Sequence, residues 1–340
     1  MAYRIGIVGA SGYGGVELLR LLSAHPEIEV ASVAAHSQAG TPISELFPNL
    51  PGDRVFDPID LDRLGELDLV FLATPHGPAI EVGGALADAG VKVVDLSAAF
   101  RLDPEGFRTW YHEEHPRPDL APAVFGLTEY TRAEVAEATL VANPGCYVIT
   151  ALLGLIPLAG LVTPGTVIVD GKSGTTGAGR AMKDTMHVSH VSGGFTAYAA
   201  PAHRHTGEIE HYLGVHGADV GPISFTPHLL PVPRGLMITA YADLADGVGA
   251  DDVQAALVKA YADERFVTVL EPGTFPTTKA VIGSNSCHVS ATVDPRTGRV
   301  LVTSVTDNLV KGAAGGALQN ANVMLGLPEE TALPTIGLYP

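Results

Sequence analysis

Two short segments hold the side chains best placed for chemistry in this 340-residue sequence. In the first, Asn143-Pro144-Gly145-Cys146-Tyr147, a strand-like run from Thr139 to Ala142 leads into an apolar stretch of helical pattern, Tyr147 to Leu158. The positive end of a helix favours thiolate over thiol, so Cys146 reads as a nucleophile for covalent catalysis. The other cysteine, Cys287, sits in a strand-like stretch and reads as a small buried hydrophobe. The second segment is His203-Arg204-His205-Thr206-Gly207-Glu208. Either imidazole could serve as general acid/base, with Glu208 to orient it and Arg204 to receive a carboxylate or phosphate. Thr206 resembles the N-cap of a following helix. With His187-x-x-His190, these histidines also allow a zinc site, but no motif such as H-E-x-x-H supports it, and no metal is expected.

A third feature concerns phosphate. Gly9, Gly12 and Gly15 are spaced three apart between a strand-like run, Tyr3 to Val8, and a helical pattern, Val16 to Leu22. Such a loop lets backbone approach a pyrophosphate, and the helix N-terminus adds N–H donors. An acidic residue about 20 positions further on would hold the ribose of NAD. Ala34-Ala35-His36-Ser37-Gln38 offers none, so Ser37 and its neighbours favour NADP. A further loop, Lys172 to Arg180, is rich in Gly and hydroxyls and carries two cations. Its backbone could hold an anion, although it lacks the order of a P-loop.

The elements that must position these groups fall into two styles. Up to residue 145, strand-like runs at Tyr3–Val8, Glu27–Ala35, Leu69–Ala73, Val91–Leu96 and Thr139–Ala142 alternate with helical patterns near Val16–Leu22, Pro78–Asp88 and Arg132–Ala138. That rhythm predicts a doubly wound parallel sheet. Beyond Cys146, strands Thr166–Asp170, Ile223–Leu229, Met237–Leu244, Cys287–Val293 and Val300–Thr306 follow with few helices between them. Asp294 to Gly298 reads as a hairpin turn, so the second half is α+β with a mixed sheet. Gly312 to Leu325 reads as a final amphipathic helix.

Composition narrows the field. A net charge of −17 argues against nucleic-acid binding. The longest apolar run, Val148 to Val162, has 15 residues, short of a membrane span. Two cysteines cannot make a disulfide framework, and no secretory cleavage pattern follows the N-terminus, so a reduced cytoplasm is expected.

Together these segments resemble the N-acetyl-gamma-glutamyl-phosphate reductase family, and nearly the whole chain takes part. The carriers are Gly9-Ala10-Ser11-Gly12-Tyr13, Pro75-His76-Gly77, Asp95 to Arg101, Asn143 to Tyr147, Ser173 to Arg180, His203 to Glu208, Pro233-Arg234-Gly235 and Asp307 to Gly312. The chain departs from the family pattern at Ala99, where Asp is usual, and over Phe125 to Glu129.

The resemblance implies a fold like glyceraldehyde-phosphate and aspartate-semialdehyde dehydrogenases, with a Rossmann nucleotide domain over 1–145 and 311–340. A catalytic and oligomerisation domain would then occupy 146–310. It implies NADPH-dependent reduction of an acyl phosphate through a cysteinyl thioester, with Cys146 as nucleophile, His203 as acid/base and Glu208 as its partner. Gly9, Ser11, Gly12, Tyr13, Gly15, Ser37, Pro75, Ser97, Gly177 and Asn308 are then expected at the cofactor. Arg101, Ser173, Arg180, Arg204 and Arg234 are expected at the substrate's carboxylate and phosphate. A homodimer or homotetramer is implied. The nearest alternative is a reductase of carrier-linked aminoadipyl phosphate; the strong negative charge of this chain disfavours an acidic carrier protein.

Overall fold

Strand β1 (Tyr3–Val8) is buried from Ile5 onward, as expected of a parallel strand covered on both faces. It is central to the first of two units in the computed structural model, which describes residues 2–339. This unit comprises the chain to Gly145, Gly179–Ala181 and Ala313–Leu333. Its other strands are β2 (Ile28–Ala34), β3 (Leu69–Leu72), β4 (Lys92–Asp95), β5 (Val124–Phe125) and β6 (Leu140–Ala142). They form a parallel sheet in the order β2-β1-β3-β4-β6-β5. The chain reverses direction across the sheet beside β1, where ligands of doubly wound folds bind. Helices of this unit are α1 (Tyr13–Leu22), α2 (Ile43–Leu46), α3 (Leu61–Leu64), α4 (His76–Asp88), α5 (Pro104–Tyr111) and α6 (Thr128–Glu137).

The second unit comprises Cys146–Ala178, Met182–Gly312 and the segment from Pro334. Its helices are α7 (Cys146–Leu155), α8 (Val188–Val191), α9 (His205–His216) and α10 (Ala250–Tyr261). Its strands are β7 (Ile168–Gly174), β8 (Thr196–Ala197), β9 (Ser224–Leu230), β10 (Leu236–Asp243), β11 (Val267–Val269), β12 (Cys287–Val293) and β13 (Arg299–Thr306). These make a mixed sheet, β11-β12-β13-β10-β7-β9-β8, parallel at β11/β12 and β7/β9 and otherwise antiparallel. Leu236, Ile238, Ala240 and Ala242 of β10 are buried, while the alternate residues are more exposed, so one face carries the core. Gly154 lets α7 lie close against Val302 and Ser304 of β13. At the β12–β13 turn, the Gly298 N–H donates to the Asp294 carbonyl, and Gly298 takes φ +73°.

The last helix, α11 (Gly315–Met324), belongs to the first unit. It is not amphipathic as expected. It is buried almost all round, because its polar side chains find partners inside. Asn320 donates to the Gly126 carbonyl (2.9 Å) and accepts from the Thr128 hydroxyl (2.8 Å), while Asn322 pairs with His25 (3.1 Å). The final residues also depart from expectation. From Pro334 they join the second unit, where Asn285 donates its N–H to the Pro334 carbonyl and Ser286 its hydroxyl to the Thr335 carbonyl.

Candidate active site

In the first unit, the glycine loop closes between β1 and α1. Gly9 adopts φ +84°, and a Cβ there would lie 2.5 Å from the Ala73 carbonyl oxygen. A Cβ on Gly15 would lie 2.5 Å from the Ala10 Cα. Both positions therefore require glycine. Gly12 is the N-cap of α1, and neither a side-chain cap nor an acidic residue occupies the first turn. Ser11 and Tyr13 flank it, partly exposed. This cradle fits the pyrophosphate of a dinucleotide. At the end of β2, His36 and Ser37 are exposed and no carboxylate stands among Ala34 to Gln38. The Asp57 carboxylate, which lies beside β2, is engaged by the Val33 N–H (2.9 Å) and by Arg63 (3.2 Å). Pro75, also exposed, begins α4 without a side-chain cap.

Three residues expected at ligands stand elsewhere in this unit. Ser97 is buried; its hydroxyl donates to Asp95 (2.7 Å) and accepts the Ala99 N–H (3.0 Å). Both bonds shape the loop after β4. Burial pushes the Asp95 carboxyl up to about 6, against the hydrogen bonds from Ser97 and the charge of Arg101. Arg101, expected at the substrate, is buried as well, and donates to the main-chain carbonyls of Asn143 (2.9 Å) and Leu96 (2.9 Å). It thereby holds the loop from which the chain runs into Cys146. Arg180, also expected at the substrate, belongs to the first unit. It donates to the Ser11 carbonyl (3.3 Å) and lies 5.5 Å from the centre of the Phe47 ring.

In the second unit, Cys146 is the first residue of α7, partly exposed, with no acidic residue in the first turn. Cys287 is buried within β12. The Cys146 side chain is near enough to Tyr147 and Tyr198 to oppose their ionisation. Burial is the larger cause; it pushes Tyr147 well above the tyrosine range and Tyr198 up to about 12. The Tyr147 hydroxyl donates to the His228 carbonyl (2.8 Å), and Gly171 leaves room for its ring.

His203 packs edge-on against Tyr147, Tyr198, Phe225 and His205, with centroids 4.7 to 6.0 Å apart. Its Nδ1 accepts the His205 N–H (3.2 Å), which assigns the proton of the neutral ring to Nε2. Burial, and then the neighbouring His205, lower its pKa to about 3, while the charge of Glu208 acts in the opposite direction. Glu208 is fully buried in the first turn of α9. Helix α9 starts at His205, so Thr206 lies inside it, buried, and is not the cap. Arg204 is exposed at the N-cap.

The remaining expected ligands have structural partners. Ser173 is buried, with its hydroxyl donating to the Gly174 carbonyl (3.2 Å). Exposed Gly177 passes so close to that hydroxyl that a Cβ would lie 2.9 Å from it. Asn308, expected at the cofactor, has both ends of its amide engaged, by the Gly235 N–H (2.9 Å) and the Thr176 hydroxyl (2.9 Å). Arg234 pairs with fully buried Asp307 (3.3 Å), whose carboxylate also accepts from Gly283, Leu309 and Val310 N–H groups. Sequence reasoning missed two neighbours of the thiol. Tyr198 stands in no residue pattern that marks a site. Gly312 lies in a π-helical turn, Val310–Ala314, and a Cβ on it would lie 2.9 Å from the Cys146 Cβ. Among the described residues, no three His, Cys, Asp or Glu side chains are grouped to hold a metal ion.

Residues 4–138 match the model of the semialdehyde dehydrogenase NAD-binding domain, and residues 146–308 match that of the semialdehyde dehydrogenase dimerisation domain. N-acetyl-gamma-glutamyl-phosphate reductases are similar along the full length. That of Desulforamulus reducens is 45% identical over 344 residues, and that of Brevibacillus brevis 46% over 344, each covering 99% of both chains. In fold, the chain is similar to aspartate semialdehyde dehydrogenase II from Vibrio cholerae, with a TM-score of 0.72 at 16% identity over 96% of this chain and 99% of that one. It is also similar to the aspartate semialdehyde dehydrogenase with NADP from Candida albicans, with a TM-score of 0.67 at 15% identity over 96% and 99%.

Proposed function

The chain belongs to the N-acetyl-gamma-glutamyl-phosphate reductase family, and from that membership we propose that Cys146 carries the family's reaction, with His203 and Glu208 beside it. The enzyme is an NADPH-dependent oxidoreductase of arginine biosynthesis that converts N-acetyl-gamma-glutamyl phosphate to N-acetylglutamate semialdehyde and phosphate. The Cys146 thiolate attacks the acyl carbon. A C–S bond forms, the C–O bond to phosphate breaks, and phosphate leaves with the electron pair. NADPH, when bound, supplies the hydride that brings the acyl carbon to the aldehyde level. The C–S bond of the resulting thiohemiacetal then breaks, its pair returns to sulfur, and the semialdehyde leaves.

His203 is neutral at pH 7, so its Nε2–H donates a hydrogen bond to the substrate oxygen as negative charge develops there. Buried Glu208 favours positive charge on that ring, against the effect of burial. Arg204 and Arg234 are the cations of the second unit that we assign to the substrate's anionic groups. The assembly is a homodimer or homotetramer built through residues 146–308, the part that matches the dimerisation domain. Among the described residues no helix is long and apolar enough to cross a membrane.

The observation that carries this reading is a partly exposed thiol on the first residue of α7, amid Tyr147 and Tyr198, with His203 packed against both rings. Two measurements test it. Purified enzyme should reduce NADP with N-acetylglutamate semialdehyde only when phosphate is present. Mixed with the acyl phosphate without NADPH, it should gain one acyl group on the peptide holding Cys146. Phosphate-independent NADP reduction, or acylation mapped elsewhere, would refute the thioester route.

A further inference from the structure

We propose that Arg180 is a cofactor ligand that clamps the dinucleotide pyrophosphate, and not a substrate ligand; this rests on the reading that the first unit binds NADPH. Residues 179–181 separate from their sequence neighbours and belong to the first unit. There the guanidinium donates to the Ser11 carbonyl (3.3 Å), inside the loop that runs from Gly9 to Gly15. The centre of the Phe47 ring lies 5.5 Å from its central carbon, within cation–π range. Among the described residues no ion pair engages Arg180, although the chain carries 37 acidic residues.

The surroundings point the same way. Helix α1 begins at this loop with no side-chain cap and no acidic residue in its first turn. The acidic residue that follows, Glu17, is held by Arg20 at 2.7 Å. An exposed fork of five N–H donors with one on Ser11 therefore stands at a place whose backbone already favours an anion. Ser37, at the end of β2, is the residue expected near a 2′-phosphate, and Arg180 is anchored to Ser11, not there. The ligand chemistry is a diphosphate shared by NADPH and NADH.

Fluorescence titration of the purified enzyme with NADPH, and in parallel with NADH, tests this without turnover. Arg180→Met should weaken both cofactors by the same factor, about 10- to 100-fold, as expected for a charge-assisted hydrogen bond. Arg180→Lys should recover part of that loss, since it keeps the charge but not the fork. The melting temperature should stay at the native value, because the side chain is exposed. Native dissociation constants in Arg180→Met would overturn the proposal. So would a loss confined to NADPH, which would put the guanidinium on the 2′-phosphate, or a change only in KM for the acyl phosphate. Native enzyme that binds neither cofactor would overturn the parent reading, and this one with it.

Discussion

Cys146 and Cys287 carry the same thiol into opposite surroundings, one partly exposed at a helix start, the other sealed in β12. Limited iodoacetamide should therefore alkylate Cys146 first and abolish activity, and Cys146→Ser should bind NADPH yet not turn over; peptide mapping checks the order. At His203, burial holds the ring neutral down to about pH 3. His203→Asn should lower kcat by about 10²- to 10⁴-fold with cofactor affinity near native. An acid limb near pH 6.5 in kcat/KM would then belong to another group and should survive in that variant. If His205→Asn costs more, the role passes to His205. Asp95 gives a stability prediction. Its folded pKa, about 6, lies above the unfolded value of 3.8, so its contribution is full below pH 3.8 and falls as pH rises through 6. The stability of the native protein relative to Asp95→Asn should therefore be greater at pH 4 than at pH 7, by about 2–3 kcal/mol. Parallel denaturant titrations at the two pH values measure it, and a pH-independent difference would contradict the buried, titrating carboxyl.

Elements explain why the site residues stand where they do. The π-helical turn at Val310–Ala314 brings Gly312 against the start of α7, and its N–H bonds the Asp307 carbonyl at 3.0 Å. Gly312→Ala should displace Cys146, lower kcat by tenfold or more, and cost about 1–3 kcal/mol through overpacking. Unchanged kcat with a lowered melting temperature would make the contact structural only. This turn was not legible beforehand, because a π turn leaves no period in sequence and Gly312 reads as the start of a helix. The alternation of apolar runs before residue 145 did foretell the parallel sheet, since strands buried on both faces must be apolar throughout. The Gly9-to-Gly15 spacing foretold the loop, because close backbone approach admits no side chain. The surroundings of the arginines were not legible. A guanidinium looks alike in sequence whether it is exposed, as at Arg204, or turned to two main-chain carbonyls, as at Arg101. The same holds for Ser97, whose hydroxyl turns back to Asp95 two residues before it, and for Asn308, whose amide meets Gly235 and Thr176, distant in sequence.

For the whole molecule, light scattering of the purified protein should report two or four chains, with a single chain contradicting the assembly proposed above. The order of segments along the chain matters as much as their number. The first unit is left at Gly145 and, apart from Gly179–Ala181, resumed only at Ala313. A chain cut after Gly312 would lack α11, whose Leu318 and Ala321 are fully buried, and would leave Gly126, Thr128 and His25 without their Asn320 and Asn322 partners. Each unsatisfied group costs about 1–3 kcal/mol, against total stabilities of about 5–15 kcal/mol, so that chain should bind no NADPH and should be digested rapidly by protease. The same arrangement sets a timetable during synthesis. The nucleotide-binding half is translated first, yet the helix that completes its interior is among the last parts made. At ordinary translation speeds the interval is on the order of ten to thirty seconds. Through it, a half-built sheet waits on the ribosome with the surfaces of α6 and β4 that α11 will cover open to water, and it is then that a chaperone has its opening.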